Sequence, residues 1–375
     1  MSVRVLFLGE NWHGSCARAC CYALRRLGCD VADVDVQTIR PQWRSLALRG
    51  TLRLLRRSVI AEYNELVLET AEQFQPDLVL AFKGQFVKAE TLERIQRRGA
   101  ALYNYYPDTS AFAHGSLLPV SLPLYDCVFY TKRFWEADVR SRITLQNAVY
   151  LPHGYDPEIH VPLPLDAIDA RQYQHDVVVI ATYTLHKEKI LDELLTLMPE
   201  IDLCIWGNQW SERCRTDLVP RHVQGRPLCG VSYAKAIRAA RINLAIMSGI
   251  VEGASQGDQT TTRSYEIPAC GGFMLHERTN EVLSLYKEGE EVACFSSVRE
   301  LVEQIRFYLL DPAERDRVSK AGFKRCVPAY SYDSRMIEIL DYHTKGKFGE
   351  NRALSFSHPS FPSDSVPSPA VSCVE

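Results

Sequence analysis

Short apolar runs alternate with amphipathic stretches along most of the chain. Residues 3–8 form a β-rich run, 9–15 a turn-rich loop, and 17–27 a helical pattern closed by Gly28, with a second strand pattern at 30–36. Strand, helix, strand in that order predicts a unit of a parallel sheet. The alternation continues with a helix over 61–74, a strand over 78–82, a helix over 90–98 stopped by Gly99, and strands over 101–105, 127–131 and 149–151. Turn chemistry at 153–157 and the prolines at 162 and 164 interrupt it. A second series then begins. It places strands at 176–181, 201–206, 242–247 and 272–275, and helices at 187–197, 231–240, 263–269, 298–309, 312–325 and 334–342.

The pattern therefore predicts two α/β domains of similar size. The first is expected over residues 1–160, a linker over 161–175, and the second domain over 176–333. A helix over 334–343 is expected to cross back to the first domain, followed by a tail over 344–375. Within that tail, residues 355–372 hold seven Ser and four Pro, a composition that predicts disorder. Ligands of such domains sit at the C-terminal ends of parallel strands, so a site between the two halves is expected.

Composition narrows the classes. Apolar residues make up 46% of the chain and charged residues 24%, which excludes disordered and collagen-like classes. No run approaches the length of a membrane span. The opening MSVRVLFLGE lacks a basic head followed by a long apolar core, so a cytoplasmic chain is expected. The twelve cysteines are scattered without paired metal-ligand spacing and read as reduced thiols. With 43 basic and 46 acidic residues the net charge is −3, and no nucleic-acid partner is expected. Residues 40–57 carry six arginines and no acid. A solvated helix face, a weak membrane-surface contact and a site for an acidic acceptor all fit that stretch, and the net charge favours the first.

The most informative segment is GDQTTTRSYEIPACGGFML at 257–275. Asp258 and Glu266 lie eight positions apart, and Arg263 precedes Glu266 by three. A carboxylate there can accept both hydroxyls of a ribose, and the arginine can pair with phosphate. A helix-capping pattern explains the same residues equally well. On the N-terminal side, Gly14 and Ser15 in the loop 9–15 let backbone amides approach a phosphate or an acceptor. His13 and Asp108 are candidates for the polar groups facing a reacting sugar, and Lys83 and Gly84 for acceptor contacts. Gly207, Asn208 and Gly225 sit in loops that suit either turns or a ligand.

The 257–275 segment resembles the C-terminal signature of group 1 glycosyltransferases of the GT-B fold, more closely their spore-maturation (CgeB-like) branch. QPDLVLAFKG at 75–84, NYYPD at 104–108, YLPHGYDPEIH at 150–160, IWGNQW at 205–210 and VQGRP at 223–227 resemble further blocks in the same order. The resemblance covers residues 3 to 342. It implies two Rossmann-like domains facing a cleft and a metal-independent transfer from a nucleotide diphosphate-sugar, a co-substrate, with no cofactor. The acceptor is left open among glycan, protein and lipid-linked hydroxyls. Glu266 would hold the donor ribose, with Arg263 and Lys187 facing the diphosphate. Asp258 stands where the family has glutamate and would face the donor sugar. Gly14, Gly207, Asn208, Gly225 and Gly271 would complete the donor site. A nucleotide-sugar epimerase and a non-catalytic nucleotide-sugar-binding module remain as alternatives.

Overall fold

The computed structural model describes residues 2–39 and 46–345, with the backbone alone for 46–55. The first sheet holds β1 (Arg4–Leu8), β2 (Asp30–Val34), β3 (Leu78–Phe82), β4 (Ala101–Tyr106), β5 (Cys127–Tyr130) and β6 (Ala148–Tyr150), in the order β2-β1-β3-β4-β5-β6. The second holds β7 (Val177–Ile180), β8 (Leu203–Trp206), β9 (Ile242–Ala245), β10 (Met274–Glu277) and β11 (Ala293–Phe295), in the order β11-β10-β9-β7-β8. All pairings in both sheets are parallel. Strand order reverses between β1 and β3 in one sheet and between β7 and β9 in the other, so each sheet opens a crevice there.

The connecting helices of the first half are α1 (Cys16–Arg26), α2 (Val36–Ile39), α3 (Leu46–Phe74), α4 (Ala89–Gln96), α5 (Leu117–Ser121) and α6 (Trp135–Arg140). Those of the remainder are α7 (Ala167–Tyr173), α8 (Leu185–Leu197), α9 (Trp210–Arg213), α10 (Gly230–Ala239), α11 (Arg263–Ala269), α12 (Asn280–Leu285), α13 (Val298–Leu310), α14 (Pro312–Cys326) and α15 (Tyr332–Lys345). Side-chain caps start several of them: Ser15 accepts from the Arg18 amide ahead of α1, and Thr184 from the Lys187 amide ahead of α8.

Three expectations need correction. The segment 161–175 is not an irregular linker. It contains α7, started by a capping box in which Asp166 and Asp169 satisfy each other's amides. Tyr173 packs in the second core, and Asp169 pairs with Lys235 of α10 at 2.8 Å. One short, two-turn helix leaves too little periodicity to read. The helix expected over 61–74 begins at Leu46, so much of the arginine-rich stretch is helical. Its side chains up to residue 55, residues 40–45, and the tail from 346 onward lie outside what is described. The short elements α2, α5, α6, α9, α12 and β11 have no counterpart among the expected elements.

The last helix returns to the first half. Tyr332, Met336 and Ile339 of α15 pack in one apolar cluster with Val5, Leu24 and Leu78. Two backbone bonds fasten the crossing: Tyr155 N–H donates to Tyr330 O and Tyr332 N–H to Tyr155 O, at 3.1 and 2.9 Å. Gly154 makes this approach possible, since a Cβ there would lie 2.9 Å from Tyr330 O. Among the described residues no helix is long and apolar enough to cross a membrane.

Candidate active site

A cavity of about 700 Å³ lies between the two sheets, lined by loops that leave the C-terminal ends of strands in both halves. A second lobe of about 360 Å³ adjoins it on the side of the second sheet, and Trp12, Gly14, Ser248, Thr262 and Glu266 border both.

The second lobe gathers cations. Lys187, at the start of α8, is buried, and its ammonium donates to Ser248 Oγ at 3.0 Å. That bond joins the first turn of α8 to the loop after β9, across the crevice where strand order reverses. Burial, aided by the nearby Arg263 guanidinium, pushes the Lys187 pKa down to about 7. Arg263 is also buried. Its Nη2 donates to Ile246 O at 2.8 Å, while Nη1 is buried with no partner among the described residues. The loop that presents Arg263 is held by Ser264. Its hydroxyl accepts from the Thr261 amide at 3.0 Å and meets His276 Nε2 at 2.8 Å. Burial pushes the His276 pKa down to about 4, so this imidazole stays neutral.

Glu266 sits where the two lobes meet. The Tyr233 hydroxyl donates to its Oε2 at 2.5 Å, and His160 Nε2 lies 3.8 Å from Oε1. The Asp156 amide donates to His160 Nδ1 at 3.0 Å, so neutral His160 carries its proton on Nε2, toward Glu266. Gly207 and Asn208 line the second lobe. Gly207 has φ +150, and a Cβ would lie 1.9 Å from Ala181 O, so no other residue fits beside the end of β7.

In the first lobe Asp108 receives two partners on one oxygen, Lys83 Nζ at 2.7 Å and His114 Nε2 at 2.8 Å from Oδ2. Burial pushes the Asp108 pKa up, but His114 and Lys83 outweigh it and hold the carboxyl well below its ordinary range. It is therefore a stable anion and a weak base. Gly84 lies on the same wall.

Asp258 lines this lobe and is paired with a residue sequence reading missed. Lys132, from the loop after β5, reaches across from the first half with Nζ 2.9 Å from Asp258 Oδ1, and also donates to Thr260 O. His153 was missed too. Its Nε2 donates to Pro107 O at 3.1 Å, and its Nδ1 is buried without a partner among the described residues. Burial and the Lys132 charge push its pKa down to about 3, so a neutral imidazole lines the cavity. Both residues had only a weak signal, a polar residue just past the end of an apolar strand.

Three expected residues fall elsewhere. His13 is exposed and borders neither lobe. Its ring lies over Gly230 of the second half, where a Cβ would come within 2.5 Å of Cε1. Gly225 is an exposed turn residue outside both lobes. Gly271 ends α11 on the side away from the cavity, where its carbonyl accepts from Ser319 Oγ at 3.1 Å. Turn glycines look alike in sequence wherever the turn points. Gly14 does border both lobes.

Residues 184–341 match a family model described as glycosyl transferase-like. The chain is 20% identical to the spore protein CgeB of Bacillus subtilis (strain 168) over 293 residues, 72% of this chain and 84% of that one. Among solved structures it resembles sucrose-phosphate synthase from Thermosynechococcus elongatus, with TM-score 0.65 and 13% identity over 92% of this chain and 98% of that one. It also resembles Anabaena Alr3699/HepE in complex with UDP and glucose, with TM-score 0.60 and 14% identity over 92% and 100% of the two chains. A UDP-GlcNAc 2-epimerase from Neisseria meningitidis bound to UDP-GlcNAc shares the fold at TM-score 0.53 and 13% identity, over 92% and 100%. Residues 184–341 thus match a glycosyl transferase-like family model, and the chain as a whole has the GT-B fold of these structures.

Proposed function

We propose that the protein moves a sugar from a nucleotide diphosphate-sugar to an acceptor hydroxyl, with the donor in the second lobe and the acceptor in the first. One observation carries this reading. Arg263 presents a buried, unpartnered Nη1 beside Lys187 in a lobe bordered by Glu266, which is a built site for an anion joined to a group rich in hydroxyls. In this reading the diphosphate meets Arg263 and Lys187, the ribose meets Glu266, and the sugar lies toward Asp258. As the sugar–phosphate bond breaks, negative charge collects on the diphosphate. Fixed cations stabilise that state more than the ground state, without a metal ion. Asp108, held by Lys83 and His114, orients the acceptor.

The HepE complexes with UDP, UDP-glucose and glucose support a nucleotide-sugar donor and make uridine nucleotides the first to test. A cytoplasmic location belongs to the same proposal, supported by the eleven free thiols among the described residues. Thermal-shift measurements against nucleoside diphosphates and their sugars, followed by product analysis, test the reading. A ligand bound by the native state alone raises the melting temperature. Transfer to an added hydroxyl is expected. Conversion of the donor to an epimer would give the epimerase reading instead, and tight binding without turnover the binding-module reading.

A further inference from the structure

The first lobe has two kinds of wall. It extends into the crevice between the ends of β1 and β3, lined there by Leu8, Val36, Tyr63, Phe82, Phe86 and Val87. Five of the six, all but Phe82, pack in one apolar cluster and so face the same side of the sheet. Leu8, Val36, Tyr63 and Val87 are at most 5% exposed and form its inner wall. At the mouth the character changes to Lys83, Asp108 and His114. Lys83 and His114 both lie against Asp108 Oδ2, at 2.7 and 2.8 Å.

We infer that the acceptor is amphipathic, with its reacting hydroxyl at Asp108 and a compact apolar group, about the size of one aromatic ring, in the β1–β3 crevice. This rests on the transferase reading only for naming the ligand an acceptor. A sugar ring carries a hydroxyl on most of its carbons. Buried among these six side chains, those hydroxyls would lose water and gain almost no donor or acceptor in return. An aromatic ring loses nothing there and meets the edges and faces of Tyr63, Phe82 and Phe86. Asp258 and Glu266 line the same cavity as this polar mouth.

The test is equilibrium binding to the full chain, with and without UDP, of paired glycosides of glucose, galactose and N-acetylglucosamine. Each pair consists of the 4-nitrophenyl and the methyl glycoside, with the dodecyl glycoside as a third arm. The nitrophenyl member of at least one pair is expected to bind about ten- to hundredfold more tightly than the methyl member, from the apolar area it removes from water. Phe86→Ser should reduce that preference, and Val36→Phe, which fills the crevice, should abolish it. Neither variant should change affinity for UDP. Equal affinities within every pair, no measurable binding by any nitrophenyl glycoside, or a preference that survives both variants would each overturn the inference. A dodecyl glycoside bound more tightly than its nitrophenyl partner would overturn it in favour of a lipid acceptor. If the crevice-dependent preference appears but no nucleotide binds, the crevice assignment stands and the transferase reading fails. If nucleotides bind and the preference is absent, the reverse holds.

Discussion

Lys132 and Asp258 form an ion pair across the two halves of the molecule, with Nζ and Oδ1 2.9 Å apart. Lys132 is only 2% exposed, and its ammonium also donates to Thr260 O. The neighbouring contacts run the same way. The Arg133 amide donates to Glu281 Oε1 at 2.8 Å, and the Ser255 amide to Asp138 Oδ2 at 2.7 Å. The acid that resemblance assigns to the donor sugar thus meets a cation supplied by the opposite domain.

Removing one member of a buried pair strands the other charge. Lys132→Met should therefore cost about 3–5 kcal/mol of stability. The double variant Lys132→Met with Asp258→Asn should be more stable than Lys132→Met alone. A double-mutant cycle by chemical denaturation measures the coupling, and additive single effects would show that the two charges do not interact.

Glu266 has two roles to separate. Glu266→Ala should weaken nucleotide affinity by about 1.5–3 kcal/mol, the range for hydrogen bonds to a charged group. It also leaves the buried Tyr233 hydroxyl without its acceptor, at a further cost of about 1–3 kcal/mol in stability. Glu266→Gln keeps an acceptor for Tyr233, so its melting temperature should stay near wild type while affinity falls. Calorimetry showing unchanged affinity in a folded Gln variant would end the ribose assignment.

Arg263 is buried and only partly paired, so folding gains little from it. Arg263→Gln should leave the melting temperature level or higher and cut turnover by roughly a hundredfold or more. Lysine should rescue only in part, because a point charge cannot reproduce a two-pronged phosphate contact. Wild-type turnover in the Gln variant would remove the phosphate role.

Lys187 makes nucleotide binding depend on pH. Burial first, and Arg263 second, hold its pKa near 7, so the free protein is about half protonated at neutrality. A bound diphosphate favours the protonated form. Affinity should therefore be level below pH 7 and fall up to about tenfold per pH unit above it, with proton uptake seen by calorimetry in buffers of different ionisation enthalpy. Stability runs the other way. Between pH 7 and the ordinary lysine value near 10.5, the unfolded chain binds more protons than the native state, so this residue's contribution to stability rises with pH. Lys187→Met should weaken binding at pH 6 and flatten the affinity profile. A flat wild-type profile from pH 6 to 9 would contradict this account.

Metal removal gives a further check. On the proposed reading, in which Lys187 and Arg263 meet the diphosphate, binding and turnover should persist in excess EDTA. Loss of activity in EDTA that manganese or magnesium restores would show that they do not suffice.

Local chemistry was enough for the elements that carry the site. The run Leu78–Phe82 is a buried strand because five consecutive apolar residues between turn signals can bury both faces of a parallel sheet. Thr184 caps the helix that carries Lys187, and the 257–275 segment carries Arg263 and Glu266 at the start of α11, so the backbone positions of all three follow from short stretches of sequence. Local chemistry alone left a capping pattern as good a reading of 257–275, and it was resemblance to a known family that gave these three residues their expected roles. The tertiary structure decided which loops meet. Lys132 is 126 positions from Asp258 and acquires its partner only because β5 ends opposite the loop that carries Asp258. His153 lines the cavity because β6 lies at the sheet edge and α15 crosses back over Gly154. His13 carries the same chemistry but is turned against Gly230. The sequence by itself determined the two parallel sheets and the helices that carry Lys187, Arg263 and Glu266, because periodicity and capping act over a few residues. The cross-domain ion pair, the neutral histidine and the apolar crevice arise from strand order and domain approach. Those depend on burying whole sheet faces, and no short window of sequence records them.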